Sequence, residues 1–157
     1  MEDQFVWLFA IASLIGSAGV IIAFRMTLRK MEHKLDDAKR HESDALQVLQ
    51  KEQTNFFIKV PLFEAPAIIL LVVGMFFLLN DAGTAVVSAI TIPAIIAVAS
   101  IVASFVFIFI STRQTLQVID KTHHGAIRTL AFTAIPLANS VPIISIVALI
   151  LALTGLD

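Results

Sequence analysis

The sequence predicts an all-α integral membrane protein with four transmembrane helices in two tandem helical hairpins, and three observations carry that expectation. Hydrophobic residues make up 58% and charged residues only 15% of the 157, with a mean hydropathy of +0.91, which is not the mix of a soluble domain. A run of about 20 apolar residues spans a hydrocarbon core of roughly 30 Å. Four such runs occur: Phe5 to Phe24, Val60 to Leu79, about Val86 to Ile110, and about Leu130 to Leu153. All eleven Lys and Arg fall in the first and third connections, eight from Arg25 to Lys59 and then Arg113, Lys121 and Arg128.

The first run begins with Glu2 and Asp3 in place of a basic stretch, so it is expected as a mature span and not a secretory signal. The first connection, residues 25–59, has no Gly or Pro. Leu28, Met31, Leu35, Ala38, Ala45 and Leu49 recur there at spacings of three and four, which continues helix beyond the membrane. A reversal near His41 to Ser43, with Ser43 as N-cap, gives two arms of about 16 residues, each roughly 24 Å long. The second span leads into a tight turn with Asn80, Asp81 and Gly83. A shorter connection, residues 111–129, is expected to turn around His123 to Gly125. The positive-inside rule then puts both termini and the Asp81 turn outside and both long connections in the cytoplasm or its matrix equivalent.

The two halves, 1–80 and 81–157, echo each other. "VPLFEAPAIILLV" aligns with "IPLANSVPIISIV", so that Pro61 meets Pro136 and Glu64 meets Asn139, and "LQVL" at 46–49 matches "LQVI" at 116–119. Such self-similarity is the mark of a duplicated hairpin. The first helix of each half is rich in small residues: Ser13, Gly16, Ser17, Ala18 and Gly19, then Ala97, Ala99, Ser100, Ala103 and Ser104. Small residues let membrane helices approach closely. The second helix of the first half is bulky with Phe, and a thin inner helix with a fat outer one suits a closed ring.

Glu64 is the residue that asks for a function. A charged carboxylate inside a bilayer costs on the order of 3 kcal/mol by insertion scales, so an intramembrane acid is a functional site by default. The bland alternative is a static pair with Lys59. Five residues along a helix turn about 140°, a poor geometry unless Pro61 bends the segment. Lys59 is expected to snorkel to the interface. Asn139 is either a hydrogen-bonding partner of its neighbours or of Glu64, or the remnant of a duplicated acid. Pro61, Pro66, Pro136 and Pro142 shape the helices near this level as static kinks tolerated by packing.

Other chemistry finds little footing. With no cysteine, disulfides and thiolates are excluded. Neither a Walker loop nor GxGxxG occurs, and His33, His41, His123 and His124 lack metal-ligand spacing with an acid on one helix face. No nucleophile constellation is discernible. No catalytic residue, cofactor or metal is expected, and no nucleic-acid partner.

"TNFFIKVPLFEAPAIILLVVGMF" at 54–76 and "IRTLAFTAIPLANSVPII" at 127–144 resemble the second helix of the c subunit, the proteolipid, of rotary ATP synthases, with Arg128, Thr129 and Pro142 at matching motif positions. A fused four-span form with one acid lost is similar to vacuolar-type proteolipids. The resemblance implies a homo-oligomeric ring facing a stator subunit and central-stalk subunits, with Glu64 as carrier of the transported ion. It implies no enzymatic activity of the chain by itself. "RQT" at Arg113, Gln114 and Thr115 stands where the family has the Arg-Gln-Pro that touches the stalk, so Arg113 and Gln114 are the implied contact. The first loop has nothing comparable, is much longer, and span 3 has no glycine. Sodium-carrying relatives add a glutamine on helix 1 and a hydroxyl after the acid. Here Ala65 follows Glu64 and span 1 offers only Ser13 and Ser17, so the implied ion is the proton, with sodium second. Two other classes stay open. One is a non-rotary scaffold or small channel recruiting a partner through the Leu/Met/Ala stripe of the arm; the other is an ion-coupled transporter.

Overall fold

The computed structural model describes residues 2–41, 45–80 and 87–154, with side chains over 4–37, 45–80 and 87–154. A short 3-10 turn, Glu2–Phe5, leads into α1, Val6–His41; then come α2, Ala45–Asn80, α3, Val87–Val118, a 3-10 turn at Lys121–His123, and α4, His124–Thr154. All four α-helices are long and apolar enough to cross a membrane. At 1.5 Å per residue the 36 residues each of α1 and α2 run about 54 Å, well beyond a hydrocarbon core of roughly 30 Å. Ser43 as N-cap and the Asp81–Gly83 turn lie outside the described residues.

The prolines sit within helices that continue through them: Pro61 and Pro66 in α2, Pro93 in α3, Pro136 and Pro142 in α4. Each withholds one N–H and so frees a carbonyl four residues back. The connection at 111–129 turns earlier than its histidines and glycine suggest. Asp120 adopts φ −56° and ψ 143°, which ends α3, and α4 already includes Gly125. His124 Nε2 donates to the Ile119 carbonyl at 3.0 Å and the His123 amide to the Asp120 carbonyl at 2.9 Å. The histidines thus tie the turn locally by satisfying helix-end groups.

Helix α1 is the hub. It packs against α2, α4 and α3, while α4 also packs on α3 and only lightly on α2. Contacts Gly74 to Phe9, Gly19 to Phe63 and the ring pair Phe24–Phe56 at 6.3 Å set α1 and α2 antiparallel. The Thr115 hydroxyl donates to Glu32 Oε1 at 2.8 Å across 83 residues, and Arg25 lies over the Phe107 ring at 5.8 Å, so α1 and α3 run parallel. The result is a zigzag, α2–α1–α4–α3, in which α1 and α4 are the enclosed helices and α2 and α3 turn most apolar side chains outward. Within the single chain, small-residue α1 is enclosed and Phe-rich α2 lies outside, whereas in the other half the small-residue helix α3 is the outer one. There α4 nests between α1 and α3, and Ala99 and Ala103 of α3 face out.

One apolar core joins Val20, Phe24, Leu28, Met31 and Leu35 of α1 to Leu49 and Phe56 of α2, Ile108 of α3, and Ile127 and Leu130 of α4. The two sequence halves share it. A second cluster gathers Phe5, Phe9, Leu78, Ile90 and Leu149 at the other end. Only the small group Ala12, Ala67 and Val141 lies between. Polar side chains concentrate at that narrow waist.

Candidate functional site

Glu64 projects from α2 at the waist and is buried, 8% exposed. Ser140 Oγ of α4 lies 3.3 Å from Glu64 Oε1. The helix register explains the meeting. Gln53 Nε2 donates to the Ala126 carbonyl across 73 residues, and Ser140 reaches Glu64 across 76. These separations bracket the 75 residues between Pro61 and Pro136 in the repeat. Parallel helices at the repeat's own offset put equivalent residues at one height, so Glu64 meets the residue after Asn139.

Asn139 itself turns the other way. Its Oδ1 accepts from the Ser104 hydroxyl of α3 at 2.7 Å, and both residues are buried. It is thus a hydrogen-bonding partner of a neighbouring helix, which bears on its present contacts and not on its origin. It pins α4 to α3 while Ser140 faces α2. On the α1 side, Ser17 Oγ donates to the Ala138 carbonyl at 3.2 Å. That is the carbonyl Pro142 leaves without a helical donor, because proline has no N–H to offer it. Ser17 thus completes α4 from a neighbouring helix.

Close approach makes these bonds reachable. A Cβ on Gly16 would stand 2.9 Å from Val141 Cβ, and one on Gly19 would stand 2.8 Å from the Phe63 carbonyl oxygen. The small residues of α1 therefore seat α4 and α2 on two of its sides, as expected for membrane packing. Ser17, Glu64, Ser104, Asn139 and Ser140 form a polar belt contributed by all four helices.

The belt's chemistry centres on one hydroxyl proton. Ser140 Oγ is also 2.8 Å from the Leu137 carbonyl, and a serine has a single O–H to donate. An ionised Glu64 draws that donor. A protonated Glu64 donates its own O–H to Ser140 Oγ and leaves the serine proton to Leu137. Both protonation states of the acid are thus accommodated with no change of partner.

The remaining predicted positions fall elsewhere. Lys59 does not pair with Glu64; the ion pairs among the described residues are Lys34–Glu52 and His33–Asp37, the latter four residues apart on one face of α1, which corrects the expectation that no histidine shares a helix face with an acid. Nor does Lys59 reach water as expected. Its Nζ is buried without a hydrogen-bond partner among the described residues, because α2 continues as packed helix past the apolar run. Pro61, Pro66 and Pro136 are exposed and Pro142 is buried. Arg113 and Gln114 are exposed, with the Arg113 guanidinium 4.6 Å from the Phe109 ring centre. The arm's stripe is internal: Leu28, Met31, Leu35 and Leu49 are at most 3% exposed, packed with Leu116, Ile119 and Ala126.

Sequence reasoning missed three partners. Ser140 is the first, although the repeat's offset carries the signal once α2 and α4 are taken as neighbours. Ser17 could have been sought as donor to the carbonyl that Pro142 frees. The Lys34–Glu52 pair across the arm, with Glu52 only 1% exposed, had no pattern to announce it. Burial pushes the Glu52 carboxyl up, but the hydrogen bond and charge of Lys34 outweigh it, aided by Asn55 and Lys59, and hold it below the usual range. Comparison with protein-family models, curated proteins and solved structures found no match to the chain.

Proposed function

We propose that this chain is a rotor-ring subunit of a rotary ATP synthase or ATPase, with Glu64 taking up and releasing a proton as the ring turns past a stator subunit. The observation that supports this reading best is the meeting of Glu64 and Ser140 from two parallel, repeat-equivalent helices. A duplicated hairpin delivers its single remaining acid to the level at which the other copy carries an amide. The zigzag of α2, α1, α4 and α3 is a strip that further copies can extend, with α1 beside α3 and the Glu64 helix toward one edge. In this reading the basic connections lie in the cytoplasm or matrix equivalent, both termini lie outside, and Arg113 and Gln114 face the central stalk. ATP is made or hydrolysed elsewhere in the complex.

The proton is favoured over sodium by the oxygens at hand. Among the described residues, hydrogen bonding brings Glu64 one side-chain oxygen, that of Ser140, whereas hard cations gather about six. A neutral, protonated carboxyl is also the form that tolerates lipid, since burial disfavours charge. The scaffold reading loses its main argument, because the stripe expected to dock a partner is packed inside the chain.

The test is a hydrophobic carbodiimide, which needs a protonated acid in an apolar site, applied to the detergent-extracted native assembly across pH with and without sodium. The expected result is selective modification of Glu64 that fades at high pH, is not protected by sodium, and halts the ATPase of the parent complex. Protection by sodium would change the ion. Labelling with no effect on any ATPase, or no labelling, would refute the rotor.

A further inference from the structure

We infer that the groove between α1 and α3, at the basic end of the bundle, binds the phosphoethanolamine headgroup of a membrane lipid. A cavity of about 480 Å³ and an adjoining cleft of about 170 Å³ share Arg29, Glu32 and Val118 and together line the seam between the two parallel helices. The groove begins where hydrocarbon ends. Arg25 is the first charged residue after the apolar run of α1, and Ser111 directly follows the apolar run of α3; both line the cleft. The Arg25 guanidinium lies over the Phe107 ring, which holds it at that mouth.

Going outward from the apolar spans, the charge along the groove changes sign. Arg25 and Arg29 come first, then Glu32, then Asp36 with Asp120 across from it. Positions 25, 29, 32 and 36 fall on one stripe of α1 at spacings of four, three and four, so they present one face. A phosphoethanolamine headgroup has the complementary order, an anionic phosphate next to the glycerol and an ammonium two carbons farther out. Arg29 and Glu32 are three residues apart, roughly 4.5 Å along the helix, a step that matches a two-carbon link. Guanidinium groups bind phosphate through paired N–H donors, and a primary ammonium carries three donors for carboxylates.

The two arginines are available for this, and Glu32 accepts from the Thr115 hydroxyl through one of its two oxygens. Among the described residues neither Arg25 nor Arg29 forms an ion pair with a carboxylate. His123 lines the cavity, and its Nδ1 is buried without a hydrogen-bond partner among the described residues. A choline headgroup has no N–H to give Glu32 or Asp36, and a glycerol headgroup has no cation, so the groove discriminates against both. This inference rests on the membrane-spanning helices and is independent of the rotor reading.

The experiment is native mass spectrometry of the full chain in mild detergent with phosphatidylethanolamine, phosphatidylcholine or phosphatidylglycerol added in turn. The unaltered chain is expected to retain phosphatidylethanolamine about tenfold better than the other two, the scale of one charge-assisted contact. Arg29→Gln should weaken retention of all three phospholipids, while Glu32→Gln and Asp36→Asn should narrow the ethanolamine-to-choline ratio toward one. Both patterns support the site, as does displacement of the lipid by millimolar glycerophosphoethanolamine. Equal retention of the three lipids by the unaltered chain would overturn it. So would phosphatidylethanolamine retention that depends on Arg29 and ignores both acids, which marks a simple anion site. Soluble glycerophosphoethanolamine binding as tightly as the lipid would overturn the membrane as its source.

Discussion

Gly19→Ala tests the packing that holds the Glu64 helix. A Cβ at position 19 would lie 2.8 Å from the Phe63 carbonyl oxygen, 3.1 Å from its carbon and 3.2 Å from its Cβ. Two of those three atoms are backbone, so no side-chain rotation relieves the contact. α2 must shift outward at the residue before Glu64. Overpacking of this kind costs about 1–3 kcal/mol, set against a helix-propensity gain of about 0.8–1 kcal/mol for replacing Gly by Ala. Gly125→Ala supplies the control, since a Cβ there meets nothing within 4 Å and the position is exposed and helical. It receives the propensity gain alone. The difference between the two variants therefore isolates the steric cost, about 1–3 kcal/mol, with Gly19→Ala the less stable. Both would be unfolded by titration with sodium dodecyl sulfate in one detergent and followed by circular dichroism. If Gly19→Ala matches or exceeds Gly125→Ala in stability, α1 and α2 do not touch at Phe63 and the seating of Glu64 described above is wrong.

Ser17→Ala should cost about 1 kcal/mol by orphaning the Ala138 carbonyl; in a Pro142→Ala background, where a helical N–H serves that carbonyl, the cost should shrink, and a double-mutant cycle in the same unfolding assay reads the coupling. Lys34→Met should destabilise by about 1–2 kcal/mol, less than the roughly 3–5 kcal/mol of breaking a fully buried pair because water reaches Lys34. The Glu52 carboxyl is held below its ordinary value of 4.5, so its stabilisation is complete above that value and is lost as pH falls through the folded-state one. Hydrogen exchange of arm amides should accordingly rise on acidification below about pH 4.5 in the unaltered chain and not in Glu52→Gln, and equal acid sensitivity would count against the pair. Ser140→Ala removes the donor to an ionised Glu64, so carbodiimide labelling should persist to higher pH than in the unaltered chain; an unchanged profile would remove Ser140 from the site.

Much of this molecule could be written down from residue order. Four apolar runs at helical length announce four spanning helices because a bilayer offers no partner for unpaired backbone groups. The place of Glu64 and its kinship with Asn139 follow from "VPLFEAP" over "IPLANSV", and the small residues of α1 foretell close contact even before their partners are known. These are local properties, set by side-chain chemistry along one helix or by comparison of the chain with itself. Which helix lies against which is not local. Apolar faces suit lipid and protein alike in a membrane, so hydrophobicity could not tell that α4 nests between α1 and α3, nor that the Leu28–Met31–Leu35 stripe closes on the chain's own third and fourth helices. The same gap hid Ser140: its nearness to Glu64 depends on α2 and α4 running side by side at the repeat's offset. That register is decided by how Gly16, Gly19 and the belt's hydrogen bonds fit, which is a property of surfaces in contact and not of the sequence of either one.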